Sequence, residues 1–205
     1  MSEEKKNREG IDQRNIKHII REIPDFPEKG MTYHDVTPLW NDWLLFDTSI
    51  NTMVALLSVP KVEFDTIVAI QAASWIHGSA LAFALMKKFV PAVVVGTSRS
   101  DLIRCNKILP ADVVTKIYDI PKNNSNMTMA RRNIVIHRDA ILPGQKVVIL
   151  DEMIGTGHTA EATAALIEKI GGEVAKIITL LSIEEMGGHQ HLIDLGYSVG
   201  TCVSY

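Results

Sequence analysis

Val147-Val148-Ile149-Leu150-Asp151-Glu152-Met153-Ile154-Gly155-Thr156-Gly157-His158-Thr159 is the stretch on which the reading of the whole chain turns. Residues 146–150 are a short apolar run, predicted as a strand buried on both faces. Two carboxylates, Asp151 and Glu152, close it. A turn rich in Gly and Thr follows, and a helix is predicted at once over 159–170, ended by Gly171-Gly172. A helix N-terminus presents backbone N–H groups with no partner in their own helix, and its dipole favours negative charge. Gly155 and Gly157 let the backbone approach a ligand closely, and Thr156 and Thr159 add hydroxyls. The segment therefore reads as a phosphate cradle. It is not a Walker A loop, because no Lys precedes the Ser/Thr, and it is not the dinucleotide pattern GxGxxG. The plainer reading is a capped helix that two acids happen to precede. Carboxylates repel phosphate, so Asp151 and Glu152 make chemical sense facing sugar hydroxyls or the water shell of a Mg²⁺ ion.

Outward from this stretch the chain alternates. Residues 66–70 (Thr-Ile-Val-Ala-Ile), 92–95 and 175–181 are further buried-strand candidates, and 79–88 (SALAFALMKK) is rich in helix formers. Strand and helix in turn predict an α/β fold with a mainly parallel sheet flanked by helices. Ligands in such sheets bind beyond the carboxyl ends of the strands. The loops after Ile70, Val95, Leu150 and Leu181 are thus the places to seek function. Upstream, apolar spacing predicts a short amphipathic helix over 11–23, broken by Pro24 and Pro27, and a second helix over 46–57. Residues 1–10 are polar and read as a frayed tail.

Composition narrows the field. The chain has 205 residues, 46% hydrophobic and 22% charged, the profile of one ordinary globular domain rather than a disordered or low-complexity chain. A net charge of -3 argues against a general nucleic-acid binder. No apolar run reaches the length of a membrane span, and the charged N-terminus has no signal-peptide core. Cys105 and Cys202 are too few for a disulfide scaffold, which suits a reducing, cytoplasmic setting. The segment 97–139 stands apart, with eight basic and four acidic residues around an Asn-rich tip. It reads either as a solvated β-hairpin or as a flexible basic flap over an anionic substrate.

A hydrophobic strand, two acids and a TGxT turn resemble the signature of type I phosphoribosyltransferases. A second segment, Arg21-Glu22-Ile23-Pro24-Asp25-Phe26-Pro27 through Gly30, Tyr33, Asp35 and Thr37-Pro38, resembles the N-terminal region of the adenine members. With Asp139-Ala140-Ile141-Leu142-Pro143-Gly144-Gln145 before the cradle, the likeness runs from about 19 to 190. It implies the type I phosphoribosyltransferase fold, with a small N-terminal hood over about 11–45 and a flexible loop. It also implies the reaction. A purine base and 5-phosphoribosyl 1-diphosphate (PRPP) give a nucleoside 5′-monophosphate and pyrophosphate, with Mg²⁺ arriving with PRPP. Carried over residue by residue, Asp151 and Glu152 are catalytic, holding ribose hydroxyls or Mg²⁺ waters. Gly155, Thr156, Gly157, His158 and Thr159 hold the 5′-phosphate, with His158 where the adenine enzymes have Gly. Tyr33 takes the aromatic position that stacks on the base, flanked by Thr32 and His34. The resemblance further implies a homodimer, for which Trp40, Trp43 and Leu44 offer an apolar patch that is otherwise ordinary core.

The pyrophosphate loop departs from the family pattern G-x-[DE]-[SA]-R-G-F. Here it reads Ala69-Ile70-Gln71-Ala72-Ala73-Ser74-Trp75-Ile76-His77-Gly78. Ala72 and Ala73 take its place in the site, and Ala73 stands where Arg would grip a diphosphate oxygen, a contact worth roughly 1.5–3 kcal/mol. His77 reads either as a half-buried histidine or as a replacement cation, and Arg99 and Lys107 are candidate pyrophosphate ligands from the other side. Asp119 lies near the position of the family's flexible-loop glutamate. Three readings stay open: an adenine-type transferase, a transferase for a 6-oxopurine or other base, and a catalytically weak PRPP- or nucleotide-binding regulator. His189 and His191 have no carboxylate or thiol cluster beside them and read as a surface pair, so no metal site built by the protein alone is expected.

Overall fold

A computed structural model describes residues 13–26, 29–96, 113–120 and 130–205. The chain divides into two compact units, Met1–Ala55 and Leu56–Tyr205.

In the first unit, helix α1 (Gln13–Ile19) leads into a two-stranded antiparallel sheet of β1 (Arg21–Pro24) and β2 (Thr32–Asp35). The helix expected over 11–23 is therefore shorter. Arg21, Glu22 and Ile23 pair with Asp35, His34 and Tyr33, and an Arg21–Asp35 ion pair of 3.6 Å reinforces the pairing. Strand pairing outweighs the weak local preference of a short helix. Helix α2 (Thr37–Trp40) carries Pro38 in its first turn, where a fixed φ is suitable. Helix α3 (Trp43–Ser58) carries the chain out of this unit and starts three residues before the expected 46. Asp42 is the reason, since its carboxylate accepts from the Leu44 and Leu45 N–H groups. Trp43 is 63% exposed, so at least one member of the Trp40/Trp43/Leu44 set is not core.

The second unit is built on a seven-stranded sheet in the order β5-β6-β4-β3-β7-β8-β9. Strands β3 (Thr66–Ile70), β4 (Lys88–Gly96), β7 (Lys146–Ile154), β8 (Glu173–Ser182) and β9 (Val199–Ser204) run parallel. Strand β3 sits in the middle and is buried at every residue, which is why its sequence is an unbroken apolar run rather than an alternation. Helix α4 (Ser74–Leu85) follows β3, and helix α5 (His158–Lys169) follows β7. The main core gathers Val68, Ile70, Ile149, Ala160, Ala164, Leu166 and Ile167, joining the sheet to α5.

Expectation and structure differ in three places. Helix α4 begins at Ser74, not 79, because the poor helix formers Trp75, His77 and Gly78 are held by packing. A Cβ at Gly78 would overlap Ala69 and crowd Phe89, so this turn lies directly on the sheet. The helix stops at Met86 in a left-handed conformation, and Lys88 is already strand. Finally, parts of 97–139 are regular structure. Strands β5 (Val113–Ile120) and β6 (Ala130–His137) are antiparallel and extend the main sheet through β4. The hairpin reading therefore holds for these strands, although β6 is half core, with Ile134, Val135 and Ile136 buried. Residues 97–112 and 121–129, with Arg99, Lys107 and Cys105, lie outside the described residues.

Candidate active site

Strand β7 runs four residues beyond the apolar run and holds Asp151, Met153 and Ile154 in register with Thr179, Leu181 and Ser182 of β8. The two acids are thus strand residues, and the pleat sends neighbours to opposite faces. Asp151 and Met153 line a cleft at the end of the strand, with Ile154, Gly155, Thr156, Gly157, Thr159 and Met186. Glu152 is not among the lining residues. Its carbonyl accepts from the Thr179 hydroxyl at 3.1 Å, which fixes the strand here. Asp151 lines the cleft, yet its carboxyl is desolvated. Burial raises its pKa to about 7, against the opposing pull of the Glu152 and Met153 N–H groups. An acid held at that threshold is readily ionised by a cation or a hydroxyl donor, and its hard oxygens suit Mg²⁺.

The turn after β7 has the geometry expected of a cradle. Gly157 caps α5 with φ of 81°, a conformation that a side chain resists, and supplies the carbonyl that accepts from Glu161 N–H. The Tyr118 hydroxyl donates to Thr159 Oγ1 at 3.4 Å and ties the cradle to β5. What sequence reading missed lies on the far side of the loop. A 3-10 turn (Glu184–Met186) and helix α6 (Gly188–Asp194) follow β8. Met186 reaches the cleft wall. Gly188 N–H donates to Gly155 O at 2.9 Å, and a Cβ on Gly188 would overlap Gly155 O and Gly157 N and stand 2.5 Å from Thr156 C. Gly188 therefore backs the loop 155–157, with no room for any side chain. Nothing local in Met186-Gly187-Gly188-His189 announces this.

His158 departs from its expected place at the rim of the cradle. Its ring stacks on His191 of α6, centroids 5.2 Å apart, and its Nδ1 is buried without a hydrogen-bond partner. His191 Nε2 lies 2.8 Å from the Glu161 carboxylate. The expectation that no carboxylate stands beside His191 is thus corrected, because α5 brings one across 30 residues of sequence.

The loop 71–74 is tied down by its own substitutions. Gln71 Oε1 accepts from Val94 N–H at 3.0 Å, Ser74 Oγ donates to Ile70 O, and Trp75 Nε1 donates to Ala69 O at 2.9 Å. Ala72 is exposed, and Ala73 is part-exposed at the N-cap of α4. Of the two readings of His77 the buried histidine holds, and the replacement cation does not. His77 is 1% exposed, and burial lowers its pKa to about 4, so it is neutral. Asp119 is engaged by Arg131 in an ion pair of 3.1 Å.

In the first unit, Tyr33 is 37% exposed and meets Phe26 edge to face at 5.5 Å. Thr32 is exposed. His34 is buried, and desolvation holds its pKa below the ordinary value. Asp35 accepts from Thr37 N–H at 3.0 Å, which keeps its carboxyl below the usual range and leaves it a structural part. Cys202 is a buried thiol whose pKa burial raises to about 12, inert as a nucleophile.

The cleft at the end of β7 brings an acid, a Gly/Thr turn and a helix N-terminus together on an α/β sheet flanked by helices. The phosphoribosyl transferase domain model matches residues 61–192, and the chain belongs to that family. An adenine phosphoribosyltransferase of Chlorobium phaeovibrioides is 38% identical over 184 residues, 90% of this chain and 94% of the relative. The crystal structure of the adenine phosphoribosyltransferase of Thermoanaerobacter pseudethanolicus superposes with a TM-score of 0.76 at 32% identity, covering 95% of this chain and all of that one. That of Rhodothermus marinus does so with a TM-score of 0.77 at 31% identity, covering 94% and 98%. The architecture is the type I phosphoribosyltransferase fold.

Proposed function

We propose that the chain is an adenine-type purine phosphoribosyltransferase. It joins a purine base to PRPP, giving a nucleoside 5′-monophosphate and pyrophosphate. The observation that carries the reading is the cleft in which the Asp151 carboxyl, near its ionisation threshold, faces the Gly155–Thr156–Gly157 turn at a helix N-terminus. Relatives at 35–38% identity over most of the chain bear the name adenine phosphoribosyltransferase, which favours adenine as the base.

In this reading a base nitrogen forms a bond to the anomeric carbon as the bond to pyrophosphate oxygen breaks, and the nitrogen's proton leaves. The ribosyl group passes through an oxocarbenium-like state, so rate comes from positioning and electrostatics. The N–H groups of 155–159 and the hydroxyls of Thr156 and Thr159 fix the 5′-phosphate. The Asp151 carboxylate accepts from ribose hydroxyls or Mg²⁺ waters, with Glu152 supporting it. Mg²⁺, when bound with PRPP, neutralises diphosphate charge. Tyr33 stacks on the base, and the backbone of Thr32 and His34 meets its edge. With no Lys or Arg in 71–77, the diphosphate falls to the loop backbone at Ala72 and Ala73 and to Arg99 and Lys107. A homodimer in the cytoplasm belongs to the same proposal. Among the described residues no helix is long and apolar enough to cross a membrane.

The test is pyrophosphate release from PRPP and Mg²⁺ with adenine, hypoxanthine, guanine or xanthine. Release with adenine at the highest kcat/KM supports the proposal. Release with an oxopurine alone replaces adenine with that base. Nucleotide binding without release from any base would leave a regulator on a transferase fold, a reading that the neutral His77 favours.

A further inference from the structure

We propose that His158, Glu161 and His191 form a binding site for a borderline divalent transition metal, Zn²⁺ foremost, which pins helix α6 to the first turn of α5 behind the phosphate loop. The inference rests on side-chain geometry within the second unit and does not depend on which reaction the cleft performs.

His158 and Glu161 stand three residues apart at the start of α5 and so share a face of that helix. The third ligand comes from α6. One donor atom from each residue lies within 4.8 Å of the other two. Donor atoms on a tetrahedral zinc stand roughly 3.3 Å apart, given bond lengths near 2.0–2.2 Å. The His191–Glu161 pair is already at 2.8 Å, so rotamer adjustments of the order of 1 Å close the site. The imidazoles of His158 and His191 lie nearly parallel, 18° apart in plane. His158 also buries its Nδ1 without a hydrogen-bond partner, an unsatisfied position of the kind that a ligand resolves.

The donor set selects the metal. Two imidazoles and one carboxylate, with a fourth position open, are a zinc-type set, whereas Mg²⁺ takes oxygen ligands and keeps its waters. The site is therefore chemically distinct from the place that receives the substrate's Mg²⁺. None of the three side chains lines the cleft except through neighbours in sequence. What a metal here would act on is the joint itself. His191 lies three residues beyond Gly188, whose backbone packs against Gly155, Thr156 and Gly157. Bridging α5 and α6 holds those three backbone segments in one arrangement.

The experiment is an optical titration of the chelator-treated full chain with Co²⁺, followed by displacement with Zn²⁺. The expected result is one Co²⁺ per chain with a visible ligand-field band, displaced by equimolar Zn²⁺ and untouched by millimolar Mg²⁺. Glu161→Gln and His191→Gln each weaken binding by roughly tenfold or more, whereas His189→Gln leaves it unchanged. Melting in chelator verifies that the variants fold. Should either fail to, the wild-type chain still decides: paramagnetic broadening by Co²⁺ must centre on the His158 and His191 ring resonances. Absence of stoichiometric binding, binding indifferent to both variants, or broadening centred elsewhere overturns the proposal.

Discussion

Gly188→Ala is the substitution that best separates the architecture described above from a general glycine-rich turn. Gly188 has no catalytic group and does not line the cleft. Its added methyl would overlap Gly155 O and Gly157 N and would stand 2.5 Å from Thr156 C, where ordinary contact begins near 3.4 Å. All three neighbours are backbone, so no rotamer change relieves them, and the loop or α6 must move by roughly 1 Å. Overpacking of this kind costs roughly 1–3 kcal/mol of stability. Losing one backbone hydrogen bond to the charged phosphate costs roughly 1.5–3 kcal/mol, or roughly 10- to 150-fold in affinity. AMP affinity by isothermal titration calorimetry should therefore fall by that factor, while adenosine, which has no phosphate, is affected far less. Adenosine is thus the control ligand. AMP binding unchanged in Gly188→Ala, or an equal loss of adenosine affinity, shows that the loop does not act through a phosphate.

Three further outcomes follow from the same geometry. Asp151→Asn should stabilise the unliganded protein at pH 8 while abolishing turnover. The folded pKa is about 7 against an ordinary 3.8, so the acid's favourable contribution is complete below 3.8 and is lost as pH rises to 7. At roughly 1.4 kcal/mol per unit the ceiling of the effect is about 4 kcal/mol, read as a higher Tm than wild type at pH 8 and a vanishing difference at pH 4. His77 has the opposite sign. Its pKa is depressed from 6.5 to about 4, so its contribution is complete above 6.5 and is lost as pH falls to 4, a ceiling of about 3 kcal/mol. In urea melts His77→Leu should lose less stability than wild type across that window. Ala73→Arg, at a part-exposed N-cap with room outward, should tighten PRPP roughly 10- to 100-fold by restoring a charge-assisted contact. AMP affinity in that variant should not change, since AMP carries no diphosphate.

The legible parts of this chain are those that local chemistry dictates. Residues 66–70 are apolar because a central parallel strand is buried on both faces, and β3 has those bounds. The cradle was legible because Gly and Thr between two regular elements serve a ligand. The start of α4 was not. Trp75, His77 and Gly78 have poor helix propensity, and only close packing on Ala69 and Phe89 keeps them helical. Register hid the division of labour between the two acids. Asp151 and Glu152 look equivalent in sequence, but β7 continues through both and gives only Asp151 to the cleft. His77 stayed open between two readings because burial is a tertiary property. Gly188 and the His191–Glu161 contact were silent for the same reason, each depending on an element some 30 residues away.

The central claim is that the turn after β7 binds a phosphate through its backbone. Amide ¹⁵N–¹H spectra recorded while AMP is added test it at the residues concerned. Phosphate binding by this turn requires saturable downfield shifts of the Gly155, Thr156, Gly157, His158 and Thr159 amides with AMP, and little movement of those amides with adenosine. Shifts confined to other residues, or equal responses to AMP and adenosine, would contradict it.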